Sequence, residues 1–144
     1  MGGGKLFQKQ RVLDSGNIEE GEMEITAYFK SVIDQDRAAV VICNLRHEII
    51  YMNNSAKERY KKYGDIVGKN LLDCHNPKSC EMIRRVVEWF GADKSHNIMF
   101  TTHNERENKD VYMVALRDEN GDLIGYYEKH EYRDPEANEP YNFT

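Results

Sequence analysis

The densest run of chemically versatile side chains is Cys74-His75-Asn76-Pro77-Lys78-Ser79-Cys80. Two thiols and an imidazole could bind a metal, but a structural zinc site takes four ligands arranged as tight pairs. Cys74 and Cys80 are separated by five residues and no second pair exists, so no metal site is expected. Thiol redox chemistry needs a cation or a helix N-terminus close to the sulfur. Cys80 falls in the first turn of a predicted helix and meets that condition only in part, so a buried, inert thiol is expected. Two readings of His75 stand. A neutral imidazole at the start of a helix could ligate haem iron or another metal; it could equally hydrogen-bond a neighbouring backbone group or water at the helix entry. His96 and His103 fall in a predicted strand, where an exposed side chain is the expected state.

Catalytic signatures are missing. The sequence holds no Gly-x-Ser-x-Gly elbow, no phosphate-cradling glycine loop and no His-Glu-x-x-His helix. Acid–base chemistry could use Asp73, Glu88 or Glu128 with a tyrosine, since burial raises a carboxyl pKa. Surface carboxylates are the default for all three.

The elements that would position these groups follow from periodicity. Asn17 to Asp34 reads as a helix with Ile25, Phe29, Val32 and Ile33 along one stripe. Ala38–Cys43 and Glu48–Met52 read as two strands joined by the turn Asn44-Leu45-Arg46-His47. Asn53-Asn54-Ser55 caps a short charged helix, Ala56 to Tyr63, which Gly64 stops. Asn76 and Pro77 open a longer helix along Cys80, Ile83, Val86, Val87 and Phe90, with Gly91 closing it. Three strands follow, His96–His103, Val111–Leu116 and Leu123–Tyr132, the last two joined across Asp118-Glu119-Asn120-Gly121. The spacing therefore predicts an α+β fold: a five-stranded antiparallel sheet, helices on one face, and an N-terminal flanking helix available for the other.

At 144 residues the chain has room for one ordinary domain. The expected organisation is an arm over 1–16, a helix over 17–34, an α+β domain over 35–134 and a polar tail over 135–144. Lys and Arg total 20 against 25 Asp and Glu, a formal charge of −5, which argues against nucleic acid as the main partner. The cluster Lys57, Arg59, Lys61, Lys62, interrupted by Glu58 and Tyr60, reads as a solvated helix face. No apolar stretch reaches membrane-spanning length and the N-terminus lacks a signal-peptide core. With three cysteines and no secretion signal, reduced thiols and a cytoplasmic location are expected.

Three local motifs, in order, carry a family resemblance over roughly Ile25 to Asp134. They are Val41-Ile42-Cys43-Asn44 through Ile49-Ile50-Tyr51-Met52-Asn53, then Val67-Gly68-Lys69-Asn70-Leu71-Leu72-Asp73, then Leu116-Arg117-Asp118-Glu119-Asn120-Gly121-Asp122-Leu123-Ile124-Gly125. They resemble the opening hairpin, the Gly-x-x-hydrophobic step and the final hairpin of the PAS domain family of sensory modules. Cys74-His75-Asn76-Pro77-Lys78-Ser79 is further similar to a PAS subgroup with a Cys-His-Pro-Pro-Lys-Ser stretch, often C-terminal to hemerythrin-like segments in anaerobic bacteria. Three positions depart from the pattern: His47 stands for the usual turn Gly, Asn44 for Asp, and Asn76 for the first Pro.

The resemblance implies a cavity between the sheet and the long helix, with Ile42, Ile83, Val87, Phe100, Val114 and Tyr126 as candidate lining; the same residues could instead fill a solid core. It also implies a non-catalytic sensory or interaction module that binds a small molecule or partner protein. Without a kinase, cyclase or DNA-binding segment in the sequence, output is expected through a separate protein or through homodimerisation by residues 18–34. A haem sensor using His75 and a small acid–base enzyme are the alternatives. Gly68-Lys69-Asn70 starts like the flavin-binding motif of the light-sensing branch, but Leu71 occupies the position of the reactive cysteine, so adduct chemistry is excluded. No resident cofactor is otherwise indicated.

Overall fold

The computed structural model describes residues 15–144, so the arm expected over 1–16 lies almost wholly outside the described residues. The chain divides into two units, residues 1–37 and 38–144. The first carries α1 (Ser15–Asp34), which begins two residues before its periodicity suggested. Of its expected stripe, Ile25 and Ile33 are half-buried, while Phe29 and Val32 are exposed, as is Tyr28.

The second unit runs β1 (Val41–Asn44), β2 (Ile49–Met52), α2 (Asn54–Arg59), two 3-10 turns at Lys61–Tyr63 and Leu71–Cys74, α3 (Pro77–Ala92), β3 (Ile98–Asn104), β4 (Lys109–Arg117) and β5 (Leu123–Tyr132). The five strands form one antiparallel sheet in the order β2-β1-β5-β4-β3. The last strand is thus inserted next to the first, and the helical segment carries the chain from one edge to the other. This is the expected α+β architecture.

Register decides which side chains face the helices. Residues directly opposite each other on neighbouring strands share a face. Tyr126 is paired with Cys43 on one side and Ala115 on the other; Glu128 faces Met113, His130 faces Val111, and Tyr132 faces Lys109. Cys43, Met113 and Tyr126 pack with Ala56 of α2 and with Val86 and Phe90 of α3, so this is the inner face. Phe90 is fully enclosed, and burying such a ring contributes about 2–3 kcal/mol. Strands β1 and β5 approach so closely at Gly125 that a Cβ there would lie 2.3 Å from the Cys43 carbonyl oxygen, which leaves room only for glycine.

Three boundaries differ from the periodicity. The helix expected over Ala56–Tyr63 is broken at Tyr60 into α2 and a 3-10 turn, and Gly64, at φ +73°, ends the turn. Helix α3 continues through Gly91 to Ala92, because its C-terminal carbonyls find a side-chain partner instead of a glycine cap. Arg117, on β4, donates to Phe90 O at 2.7 Å, His96 O at 3.0 Å and Asp93 O at 3.2 Å, and its Nε donates to Asn97 Oδ1 at 2.7 Å. Finally, the polar loop expected over Asn104–Asp110 narrows to residues 105–108, its ends being taken into β3 and β4. The ladder extends to the pair Asn104 and Lys109, and Asn108 takes a left-handed conformation at φ +47° in the tight connection.

Candidate functional site

Between the inner face and the helices lies a cavity of about 220 Å3. Val41, Ile49, Ile66, Leu71, Ile83 and Met113 give it apolar walls, Tyr60, Tyr63 and Tyr126 add aromatic ones, and Cys74, His75, Glu128 and His130 supply polar groups. A wider groove of about 490 Å3 runs between α3 and β3 past Met82, Trp89, Met99 and Phe100. His75, Ile83, Met113 and Glu128 border both spaces.

Local sequence explains how the walls are held. Asn53 is fully buried between β2 and α2, and all its polar atoms are used. Its Oδ1 accepts from Val40 N and Ala56 N, each at 2.9 Å, and its Nδ2 donates to Ala38 O at 3.0 Å. One side chain thereby caps α2 and closes the β1–β2 hairpin. Asn76 caps α3 by accepting from Ser79 N at 2.8 Å. Buried Cys80 donates its thiol hydrogen to Leu72 O at 3.1 Å, tying α3 to the preceding 3-10 turn. His75 is exposed, and its Nδ1 lies 2.9 Å from Leu71 O; because a carbonyl only accepts, that nitrogen carries the hydrogen.

The polar end of the cavity centres on β5. Glu128 Oε1 accepts from His130 Nε2 at 3.0 Å. The Glu128 side chain is 49% exposed and borders both the cavity and the groove. Desolvation is the largest influence on its carboxyl group and pushes the pKa up. The His130 hydrogen bond and the charges of His130, His75 and Lys109 together outweigh it, so Glu128 titrates below the ordinary carboxylate range. Its charge reaches the walls. Burial, aided by Glu128, pushes Tyr60 and Tyr126 upward, and it lifts the Cys43 thiol to about 11, where the Glu128 charge also raises it.

Farther along the same face, Glu107 receives both guanidinium nitrogens of Arg59 at 3.0 and 2.7 Å and lies 3.3 Å from Lys109 Nζ. The Arg59 hydrogen bonds hold the Glu107 carboxyl down to about 2. Among the described residues, the buried side-chain atoms without a hydrogen bond are Lys109 Nζ and His130 Nδ1, on side chains only 2% and 5% exposed. Lys109 instead sits 5.4 Å from the centre of the Tyr132 ring, a cation–π contact beside its ion pair.

Of the six residues anticipated as lining, Ile83 and Tyr126 border the cavity and Phe100 borders the groove. Ile42 and Val114 do not line it: both stand opposite Tyr127, one residue out of phase with the inner face. Val87 packs against the core cluster and lines neither space. Of the three anticipated carboxylates, only Glu128 reaches the cavity; Asp73 and Glu88 are exposed. His130, Tyr60 and Met113 were not anticipated. The alternation Tyr126, Glu128, His130, Tyr132 would have shown the first of them once one inner residue was known.

Haem can be tested against this geometry. Fixing Nδ1 leaves His75 Nε2 as a ligating atom. The cavity lies below the roughly 300–1,000 Å3 of pockets that enclose drug-sized ligands, so it does not by itself enclose the macrocycle; His75 also borders the wider groove. No group of three or more metal-ligating side chains is found among the described residues.

With the geometry described, the chain can be compared with known proteins. The family model of the PAS domain matches residues 37–128. The chain belongs to the PAS domain family. Its fold is similar to a C-terminal domain from Streptococcus mutans at 24% identity and a TM-score of 0.58, covering 74% of this chain and 84% of that one. It is similar also to a PAS domain from Colwellia psychrerythraea, at 16% identity and a TM-score of 0.56, covering 76% and 97%. A third likeness is the PAS domain of BvgS from Bordetella pertussis, at 14% identity and a TM-score of 0.53, covering 79% and 90%. At such identities the likeness shows the fold alone. No curated protein matches the chain significantly in sequence. PAS domains are typically sensory modules of signalling proteins, and no described helix of this one is long and apolar enough to cross a membrane.

Proposed function

We propose that this PAS domain is a non-catalytic sensory module that holds a small molecule in the cavity between the inner sheet face and α3. The observation that carries the reading is the cavity itself: apolar and aromatic walls around one charged end, the composition of a small-molecule site. Occupancy would favour one packing of α3 against the sheet over another, and a ligand shifts such an equilibrium only by its differential affinity for the two states. The signal would pass to a separate protein or through a homodimer formed by residues 18–34, where Tyr28, Phe29 and Val32 offer exposed apolar surface. A cytoplasmic location fits the unpaired thiols of Cys43, Cys74 and Cys80.

The acid–base alternative draws on Glu128, which does share the cavity with Tyr60 and Tyr126. Its electrostatics run against that role. A general acid or base works best with a pKa near the operating pH, whereas Glu128 is shifted down and both tyrosines up. Such a carboxylate suits a fixed counter-charge.

Native mass spectrometry of freshly purified protein, before and after gentle denaturation, tests the reading. Retained mass beyond the polypeptide, lost on unfolding, supports it. A clean apo mass, combined with no thermal shift from any member of a small-molecule library, would sink it. Sedimentation at high concentration checks the dimer: a strict monomer removes the role given to residues 18–34.

A further inference from the structure

We propose that the ligand is a small amphipathic amine, a single apolar or aromatic body bearing one ammonium group that pairs with Glu128. The inference rests on the small-molecule reading above and names the class of molecule.

Size comes first. A dry cavity of about 150 Å3 accommodates benzene, so about 220 Å3 has room for one ring with a short chain. Walls such as Val41, Ile49 and Met113 match the apolar body.

Charge then selects the head group. An ionised carboxylate is an acceptor only. One oxygen of Glu128 is engaged by His130, and no described residue donates to its remaining lone pairs. A ligand that displaces water from this carboxylate must bring a donor in its place, and a charged donor forms the stronger bond. The neighbouring cations do not satisfy this need. Lys109 is held by Glu107 and the Tyr132 ring, and His75 Nδ1 is spent on Leu71 O. The Tyr60 and Tyr63 rings already carry Arg59 and Lys62 over them, so the charge preference of the site rests on Glu128. The negative charge of Glu128 acts on Tyr60, Tyr126 and Cys43 alike, so an anionic ligand would meet repulsion from the carboxylate.

Three near-isosteric probes test this: 2-phenylethylamine, 2-phenylethanol and phenylacetate, titrated into the full chain by calorimetry and amide chemical-shift mapping. The amine is expected to bind about tenfold more tightly than the alcohol, with phenylacetate weakest. In Glu128→Gln the amine's advantage should fall to within about twofold while alcohol binding is kept. Phenylacetate binding as well as the amine, or an amine preference that survives Glu128→Gln, overturns the assignment and leaves a small-molecule site intact. Shifts confined to residues outside the cavity also overturn it. If none of the three binds, the amine assignment falls, while the small-molecule reading stands or falls on the native-mass and thermal-shift test above. The wild-type series needs no variant, so a Glu128→Gln protein that failed to fold would still leave the ranking decisive.

Discussion

The side chains of Asn53, on one hand, and of Lys109 and His130, on the other, lie buried in the same unit, yet they treat buried polarity in opposite ways. Asn53 satisfies three backbone partners with one amide, and nothing in it is left over. Lys109 Nζ and His130 Nδ1 are buried without a hydrogen bond, and the Glu128 carboxylate beside His130 opens into the cavity. An unsatisfied buried polar group costs about 1–3 kcal/mol. The first arrangement is that of a structural corner. The second leaves polar atoms that the fold does not pair, and of these residues His130, with Glu128, lines the cavity.

The largest expected effect falls on the structural side. Asn53→Ala would take their side-chain partner from the buried N–H groups of Val40 and Ala56 and from the Ala38 carbonyl, and remove the α2 cap. A destabilisation of about 3–4 kcal/mol is expected, read as a lower urea midpoint at unchanged slope. A loss under about 1 kcal/mol would erase the contrast.

Acid acts next, at Glu107. Its folded pKa of about 2 lies below the unfolded value near 4.5, so the stabilisation is present above that unfolded value and is lost as pH falls toward 2. Because the carboxylate is about one-third exposed, screening leaves on the order of 1 kcal/mol. Thermal melts at pH 6 and pH 2.5 should show the gap between wild type and Glu107→Gln closing at the lower pH.

Lys109→Met sharpens the comparison from the other side. Glu107 keeps both Arg59 hydrogen bonds, so removing the buried ammonium strands no partner. Stability should change by less than about 1 kcal/mol, toward stabilisation, as when buried ions are replaced by apolar groups of similar size. A loss as large as that of Asn53→Ala would show that Lys109 is structural after all.

The smallest effect is chemical. Cys74 is exposed, whereas Cys43 is enclosed and pushed up to about 11 and Cys80 is buried. A disulfide reagent should label one thiol quickly in the native protein and the other two only in denaturant. Fast labelling at Cys43 would mean that the cavity wall opens readily.

Element order was legible in the chain itself, because its signals are local. Asn76-Pro77 announces α3 through cap chemistry, Asn53 announces α2, and Asn44 to His47 announces a turn in which His47 takes φ +64°. The lining was legible only in part. Along β4, residues 111 to 116 are apolar on both faces, so alternation offers no phase, and only the pairing with β5 shows that Met113, not Val114, points inward. Tyr60 was read as a break in a charged surface helix, since its neighbours are all ionic; the kink at that residue turns it toward the sheet.

What the chain determined alone is the set of elements, with their caps and turns, since each depends on neighbours within a few residues. Strand register, the Arg117 clamp on the end of α3, and the meeting of Glu128 with Tyr60 and Ile83 came from tertiary structure. The β1–β5 pairing and the contacts of Arg117 and Glu128 with the helical segment join residues far apart in sequence, and only closure of β5 beside β1 and β4 sets which side chain of each alternating pair turns toward the cavity.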